Sequence, residues 1–291
     1  MNRSLLLIVT TLLLFTSETL AQDAISIPDT LSGWQTSWVI GLNGSQASYS
    51  NWSQGGTNNI AATGTSSFSS LYKKKKFAFG FLLDTRYGKT RIEDEGTRKI
   101  ADRLNLLNRF LYTLNEENPE LKLFANLSFR TQFDKGYNYG AAEDGGDILI
   151  SSFMAPAYFN ESIGVAYVPS DFFSVEAGLG LKQTYVSDES LSETYGLDEG
   201  DQFRSEAGLT IGAGLETNLL ENVTFSSSIQ TFTNFNRSLS STDVYFSNKL
   251  IGRVNSYMNT NLSLDLVYDD DFSEELQVAQ ILSLGISYSI R

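Results

Sequence analysis

The stretch KKKKFAFGFLLDTRYG, residues 73–88, sets four lysines directly before phenylalanines that recur at every second position. Successive side chains of an extended chain point to opposite faces, so Phe77, Phe79 and Phe81 share one face. The residues between them, from Ala78 to Arg86, are small or polar on balance. This alternation predicts a strand with an apolar medium on one side and a polar interior on the other.

The same period-two pattern continues through most of the chain. The segment RKIADRLNLLNRFLYTL, residues 98–114, also fits an amphipathic helix by its charge spacing, but its neighbours are strands and we interpret it as one. The pattern predicts about 12 strands. They are placed near 35–50, 59–72, 76–87, 99–114, 120–134, 151–168, 172–187, 202–218, 222–235, 243–254, 258–268 and 277–290.

The predicted connections alternate between tight and longer. Tight turns follow residues 72, 114, 168, 219 and 255, and the segments 51–58, 88–98, 135–150, 188–201, 236–242 and 269–276 are mostly longer. Every second connection of a meander lies at the same end, so the connections at one end are short and those at the other end are long. The pattern predicts an all-β fold, a transmembrane antiparallel up-and-down β-barrel with short periplasmic turns and longer extracellular loops.

A soluble sandwich with the apolar faces turned inward is the alternative. It does not explain the alternating loop lengths. Nor does it explain the aromatic residues near strand ends, which suit a girdle at a lipid boundary. These are Tyr72, Phe77, Tyr112, Tyr167, Phe172, Phe173, Tyr185 and Tyr268. Lys73 to Lys76 then form a tight periplasmic hairpin, either as a solvated turn or as a contact to anionic headgroups.

The N-terminus predicts export. Arg3 precedes an apolar run from Leu5 to Phe15, and the small residues Thr19 and Ala21 suit cleavage before Gln22. We therefore expect a signal peptide at 1–21, a short periplasmic lead-in or partial plug at 22–33, and the barrel at 34–291. The expected location is the outer membrane of a Gram-negative bacterium.

Composition narrows the possible functions. The net charge of −13 argues against a nucleic-acid partner, and the absence of cysteine removes thiolate metal sites. The absence of histidine removes the usual general base and the commonest metal ligand. We therefore expect no enzyme, no cofactor and no resident metal. The expected partners are outer-membrane lipid, lipopolysaccharide and the outer-membrane assembly machinery.

Four stretches carry a family resemblance: GWQ from residue 33, YSNWSQGGTNN at 49–59, LVYDDDFSEEL at 266–276 and LGISYSIR at the end. With them the chain resembles an uncharacterised family of Gram-negative outer-membrane barrels known as a domain of unknown function. The SNW-x-x-GG part is the most specific. The resemblance implies a barrel in the outer membrane and no assigned activity.

Two loop features allow a functional interpretation beside a structural one. Trp52, with Gly55 and Gly56, suits a stacking platform for a ligand or a tight return that packs on the barrel rim. Acidic groups at 143–147, 198–201 and 269–275 suit a divalent cation or a solvated rim. In both cases the structural interpretation is favoured.

The alternation also predicts which charges face the lumen. Both signs occur there, so the interior is either a small polar pore or a lumen closed by ion pairs. The first hypothesis is a channel or carrier for small polar solutes, and the second is a closed barrel that binds or scaffolds through its loops. The lumen-lining candidates are Arg86, Arg103, Arg109, Lys122, Arg130, Glu176, Lys182, Arg204, Glu206, Glu216, Lys249, Arg253 and Asp265, with Asp84 and Asp134 also on this side.

Overall fold

The structure, a computed structural model, describes residues 25–49, 57–269 and 273–290. Twelve strands form one closed antiparallel barrel, in which β1 pairs with both β2 and the final strand β14. The barrel strands are β1 (Gly33–Ala47), β2 (Asn59–Lys74), β3 (Phe77–Ile92), β4 (Gly96–Thr113), β5 (Leu121–Thr131), β8 (Ala157–Ser170), β9 (Phe173–Tyr185), β10 (Phe203–Leu220), β11 (Val223–Asn234), β12 (Asp243–Arg253), β13 (Met258–Asp269) and β14 (Ser273–Ile290).

The predicted all-β barrel with about 12 strands is confirmed. The segment that also fitted a helix is strand β4. The helices among the described residues are three short 3-10 turns, at Glu189–Leu191, Glu193–Tyr195 and Leu239–Ser241. In the described part of the chain, no helix is long and apolar enough to cross a membrane.

Two details of the connections were predicted wrongly. The segment 88–98 is not a long loop, because β3 and β4 continue almost to a tight turn at 93–95. The bulge of this hairpin lies in β4, where Ile100 is the extra residue between Lys99 and Ala101, and it shifts the alternation at the start of that strand. In β3 the alternation continues, but its outward positions 89 and 91 are Lys and Arg, so no apolar face marks this part of the strand. Between β5 and β8, two short strands, β6 (Gly136–Asn138) and β7 (Ile148–Ser151), form a separate hairpin that was read as loop and as the start of β8.

The two ends of the barrel differ. We call the end with connections 75–76, 114–120, 171–172, 221–222 and 254–257 the turn end, and the opposite end the loop end. The lysine hairpin turns at Lys75, whose φ of 53° suits a two-residue connection. Gly33 turns the chain into β1 at the same end, with a φ of 83° that favours glycine.

Most of the large apolar side chains lie on the outside of the barrel. In the opening stretch Phe77 is 41% exposed while Ala78, on the other face, is 6% exposed. Large exposed side chains continue around the exterior, including Leu42, Ile163, Leu179, Ile211 and Leu282. A barrel with aliphatic side chains on its outside and charged side chains inside is suited to the hydrocarbon core of a membrane.

An aromatic girdle surrounds the turn end. Trp34 and Tyr72 on neighbouring strands pack with ring centroids 4.7 Å apart, and Phe77 continues the row. Tyr112, Tyr167 and Phe172 are exposed at the same end. Aromatic rings of this kind sit at the boundary between lipid and water.

Candidate lumenal site

One side chain identifies the inner face of the barrel. Lys182 on β9 reaches Asp243 on β12 and Asp269 on β13, strands that are not its neighbours in the sheet. Such contacts cross the interior, so the face of β9 that carries Lys182 faces the lumen. The strand registers carry this assignment around the barrel.

All thirteen lumen-lining candidates lie on that inner face by register. Asp84 joins them and pairs with Arg103, with Nη2 and Oδ1 2.9 Å apart. Asp134 does not, because it follows the end of β5. Its carboxylate accepts a hydrogen bond from Tyr87 and pairs with Lys89, which belong to the outer face by register. The hydroxyl of Tyr87, helped by the Lys135 amide and Lys89, lowers the pKa of Asp134 to about 2.

A first ion pair bridges strands nearer the turn end. Arg109 on β4 and Glu176 on β9 meet with Nη1 and Oε2 2.8 Å apart, although two strands lie between theirs in the sheet. Asn126 on β5 connects them, since it accepts from Arg109 and donates to Glu176. We call these three residues the lower bridge.

A second cluster lies nearer the loop end. Lys182 Nζ is 2.7 Å from Asp243 Oδ2 and 2.9 Å from Asp269 Oδ2, and Tyr245 donates to Asp269. Lys182 is 5%, Asp243 3% and Asp269 0% exposed. We call these four residues the upper bridge. Neither aspartate is among the lumen-lining residues predicted from the sequence, because Asp243 begins its strand and Asp269 stands next to the acidic residues of a loop.

Further contacts join inner side chains of β10 with β11 and of β5 with β8. Arg204 pairs with Glu206, and Asn234 donates to the same carboxylate with Nδ2 and Oε1 2.8 Å apart. Arg130 lies over the Tyr158 ring at 5.1 Å. The charged side chains named here therefore contact neighbouring strands rather than projecting freely.

The lead-in fills the turn end beside these strands. Ile25 and Ile27 pack among Ala78, Leu111 and Phe124 on the inner face of β3, β4 and β5. Gly80 leaves the space that Ile25 occupies. Residues 25–32 therefore occupy part of the lumen at the turn end, and we call them the plug.

Electrostatic contacts fix the plug in place. Asp29 pairs with Lys73 on β2 and with Lys122 on β5, the latter at 2.8 Å between Oδ1 and Nζ. Its backbone amide donates to Asp171 in the turn between β8 and β9. Burial raises the pKa of Asp29, but the two lysines outweigh it, so the pKa lies below the usual value.

The loop end is closed over β4 to β10 by its own packing. Asp102, almost fully buried, accepts from the backbone amides of Phe133 and Asp134 and pairs with Lys99. The loops from β5 to β8 and from β9 to β10 share a small apolar core around Val186 and Leu191. Tyr195 donates to the Ile150 carbonyl and ties the two loops together.

The lumen therefore has two unlike walls. The inner faces of β3–β5 and β8–β10, which we call the charged wall, are covered at most positions, including Arg109, Lys122, Lys182 and Glu206. The inner faces of β11–β14, β1 and β2, which we call the hydroxyl wall, carry mainly small polar residues that are half-buried. Among these are Ser37, Asn43, Thr65, Ser67, Ser226, Ser228, Asn261, Ser263 and Ser283. The exception is the loop end of β12 and β13, where Asp243 and Asp269 of the upper bridge are buried against Lys182 of the charged wall.

A partly open cavity of about 60 Å³ lies on the inner face. Asn126 from the lower bridge and Lys182 and Tyr245 from the upper bridge line it, so it sits between the two bridges. The other lining residues on the inner face are Asn105, Ser128, Arg130, Tyr158, Asn160, Ser162, Thr210, Gln230 and Phe232.

The loop features give little chemistry. Trp52 and its glycines lie outside the described residues. Asp144 and Asp147 satisfy backbone amides of their own loop. Within residues 25–49, 57–269 and 273–290, no three or more possible ligands come together in a metal-binding geometry.

A family comparison bears on the resemblance. Residues 45–137 match the family model described as "Protein of unknown function (DUF3078)". The match runs from the end of β1 into β6, so it covers the lysine hairpin and strand β4. The expected likeness to a family of unknown function is confirmed over this range. No curated protein gives a significant match.

Solved structures give distant likenesses. An outer-membrane channel from Pseudomonas putida F1 aligns with a TM-score of 0.44 and 10% identity, over 92% of this chain and 98% of that chain. The translocator domain of the autotransporter NalP from Neisseria meningitidis gives 0.41 and 12%, over 90% of each chain. The KdgM porin in complex with disordered oligogalacturonate gives 0.38 and 9%, over 87% of this chain and 99% of that chain. At these scores the likenesses carry no further conclusion.

Proposed function

We propose that the protein is an outer-membrane barrel through which small polar solutes pass along the hydroxyl wall, with the turn end in the periplasm. The observation that carries the proposal is the difference in coverage between the two walls. The charged wall is covered by ion pairs, by the lead-in and by the loop packing. The hydroxyl wall keeps its small polar side chains accessible.

The surface chemistry supports the membrane location. Aliphatic and aromatic side chains cover the outside, and the aromatic girdle marks one boundary. Short turns at one end and longer loops at the other match the asymmetry of barrels inserted from the periplasmic side. The lead-in enters the lumen from the turn end, as a segment arriving from the periplasm does.

A closed barrel is the second candidate. The seated lead-in and the two bridges favour it, because together they occupy much of the inner face between β2 and β10. In that case the protein acts through its loops, as a binding or attachment surface. Single-channel recording separates the two functions.

The chain contains no cysteine, so single cysteines can report on each wall. Ser67→Cys places a thiol on the hydroxyl wall, and Thr113→Cys places one on the charged wall at a position that is 8% exposed and does not line the cavity. In a planar bilayer we expect steady current through both variants. A charged, membrane-impermeant thiol reagent should reduce the current of Ser67→Cys and leave that of Thr113→Cys unchanged.

Two results would contradict the proposal. Electrically silent bilayers containing verifiably folded barrels would support the closed alternative. Equal reactivity at both thiols would show that passage does not follow the hydroxyl wall.

A further inference from the structure

Two side-chain amides without a hydrogen-bond partner among the described residues face the lumenal cavity from different strands. Asn105 on β4 is 6% exposed and lines the cavity, and its side chain has no hydrogen-bond partner among the described residues. Gln230 on β11 lines the same cavity and also has no side-chain partner within the described ranges. Asn105 is buried and Gln230 is half-buried, and neither amide is cut off from the cavity, so the donor and the acceptor of each are available to whatever occupies it, water or a ligand.

An aromatic ring forms part of the cavity wall. Phe232 is buried beside Gly180 and Gly208, and a Cβ at Gly208 would come within 2.8 Å of Phe232 Cζ. Gly208 therefore leaves the space that the ring occupies, and Lys182 Nζ lies 6.0 Å from the ring centroid. An aromatic surface next to amide groups suits a molecule that has C–H faces and hydroxyl edges.

The cavity has no net charge to select an ion. Its ionisable lining residues on the inner face are Arg130 and Lys182. Lys182 is bound by both Asp243 and Asp269, so the four groups together balance. Glu161 also borders the cavity, but its side chain belongs to the outer face of β8, where its register partners are Leu127 and Leu181.

From these observations we propose that the cavity is a binding subsite for a small neutral polyol or sugar. This inference rests on the proposed passage of polar solutes and names their class. Asn105 and Gln230 donate to and accept from hydroxyl groups, and Phe232 contacts the C–H face. The volume of about 60 Å³ corresponds to roughly two waters at about 30 Å³ each, and the cavity is partly open, so it takes one end of a small polyol in place of these waters.

The two bridges explain how the subsite keeps its shape. Asn126 is held by Arg109 and Glu176, and Tyr245 is held by Asp269, so both present fixed groups to the cavity. Groups that are fixed in advance lose little entropy when a ligand binds. The ion pairs of the charged wall thus position the subsite rather than bind the solute.

The test uses erythritol, a neutral four-carbon polyol, and tartrate, a charged polyhydroxylated compound of the same chain length. Saturation-transfer NMR on the purified barrel in detergent measures binding without any need for current. We expect saturable erythritol binding and no saturable tartrate binding. Gln230→Leu should weaken erythritol binding about tenfold, because one amide provides two hydrogen bonds.

Gln277→Leu is the matched control. Gln277 lies on the inner face of β14, is half-buried, and does not line the cavity. This substitution should change erythritol affinity less than twofold. Unheated electrophoretic mobility shows whether each variant is folded.

The outcomes separate this inference from the proposed function. Steady conductance without saturable erythritol binding overturns the subsite and leaves the channel in place. Erythritol binding in an electrically silent barrel overturns the channel and leaves the subsite. Equal weakening by Gln230→Leu and Gln277→Leu places the binding elsewhere, and preferred tartrate binding overturns the neutral class.

Discussion

The charged wall and the hydroxyl wall are made from strands of the same barrel, yet they treat polar groups in opposite ways. On the charged wall, Arg109 and Lys182 are buried in ion pairs that join strands distant in the sheet. On the hydroxyl wall, residues such as Ser67 and Ser263 stay half-buried and short. The difference indicates that ion pairs fix the side chains of the charged wall, while the short side chains of the hydroxyl wall leave space in the lumen.

The largest expected effect concerns the upper bridge. Lys182→Met leaves Asp243 and Asp269 buried together without their cation, and breaking a buried pair in this way costs about 3–5 kcal/mol. We expect the free energy of unfolding, measured by denaturant titration in lipid vesicles, to fall by this amount.

Lys249→Met provides the comparison on the hydroxyl wall. Lys249 is half-buried on the inner face of β12 and has no ion pair within the described residues. Its replacement should change the free energy of unfolding by no more than about 0.5 kcal/mol. Equal losses for Lys182→Met and Lys249→Met would remove the distinction between the walls.

The lower bridge should show an intermediate effect. Arg109→Met removes the partner of Glu176, whose side chain keeps 18% of its exposure and so stays partly hydrated. We expect a loss of about 2–3 kcal/mol in the same unfolding measurement. A loss below about 0.5 kcal/mol would show that this pair is not a structural bridge.

A smaller effect is expected at the plug. Asp29→Asn removes the charge that holds the lead-in to Lys73 and Lys122, at a site that is partly exposed and screened by solvent. We expect a loss of about 0.5–1 kcal/mol and faster proteolysis of the lead-in. Asp265→Asn, on the inner face of β13 and away from the plug, should leave this proteolysis unchanged.

The smallest effect is the pH dependence of plug docking. The pKa of Asp29 is lower in the folded barrel than its ordinary value of 3.8, so its contribution is complete at neutral pH and is lost as the pH falls through the folded value. Lys73, Lys122 and Asp171 are the charged groups that face it. Proteolysis of the lead-in should accelerate below about pH 4 in the natural chain and less so in Asp29→Asn.

The sequence predicts the barrel strands well because one face of each strand meets lipid and the other meets the polar lumen. The alternation of Phe77 and Phe79 with Ala78 and Gly80 reflects this difference between the two faces. The end of the β3–β4 hairpin is not predicted because a bulge at Ile100 shifts the alternation in β4 and because Lys89 and Arg91 take the outward positions of β3. Strands β6 and β7 are not predicted because their short pairing lies apart from the barrel.

The site is less readable from sequence than the fold. Alternation predicts which charges face inward, but it does not tell which of them pair. Arg109 meets Glu176, and Lys182 meets Asp243, only because closure of the barrel brings distant strands face to face. The amides that line the cavity are equally hard to predict, because the sequence pattern does not distinguish Asn105 and Gln230 from other inward-facing polar residues.

The position of the lead-in has a consequence for biogenesis. It precedes β1 in the chain, yet Asp29 contacts Lys122, 93 residues later, and Ser26 donates to the carbonyl of Asp171, 145 residues later. It therefore cannot dock until β5 and the β8–β9 turn stand in place. The lead-in is synthesised before every strand of the barrel but docks only after β8 has formed. Protection of the lead-in from protease therefore indicates that folding of the barrel has proceeded beyond β8.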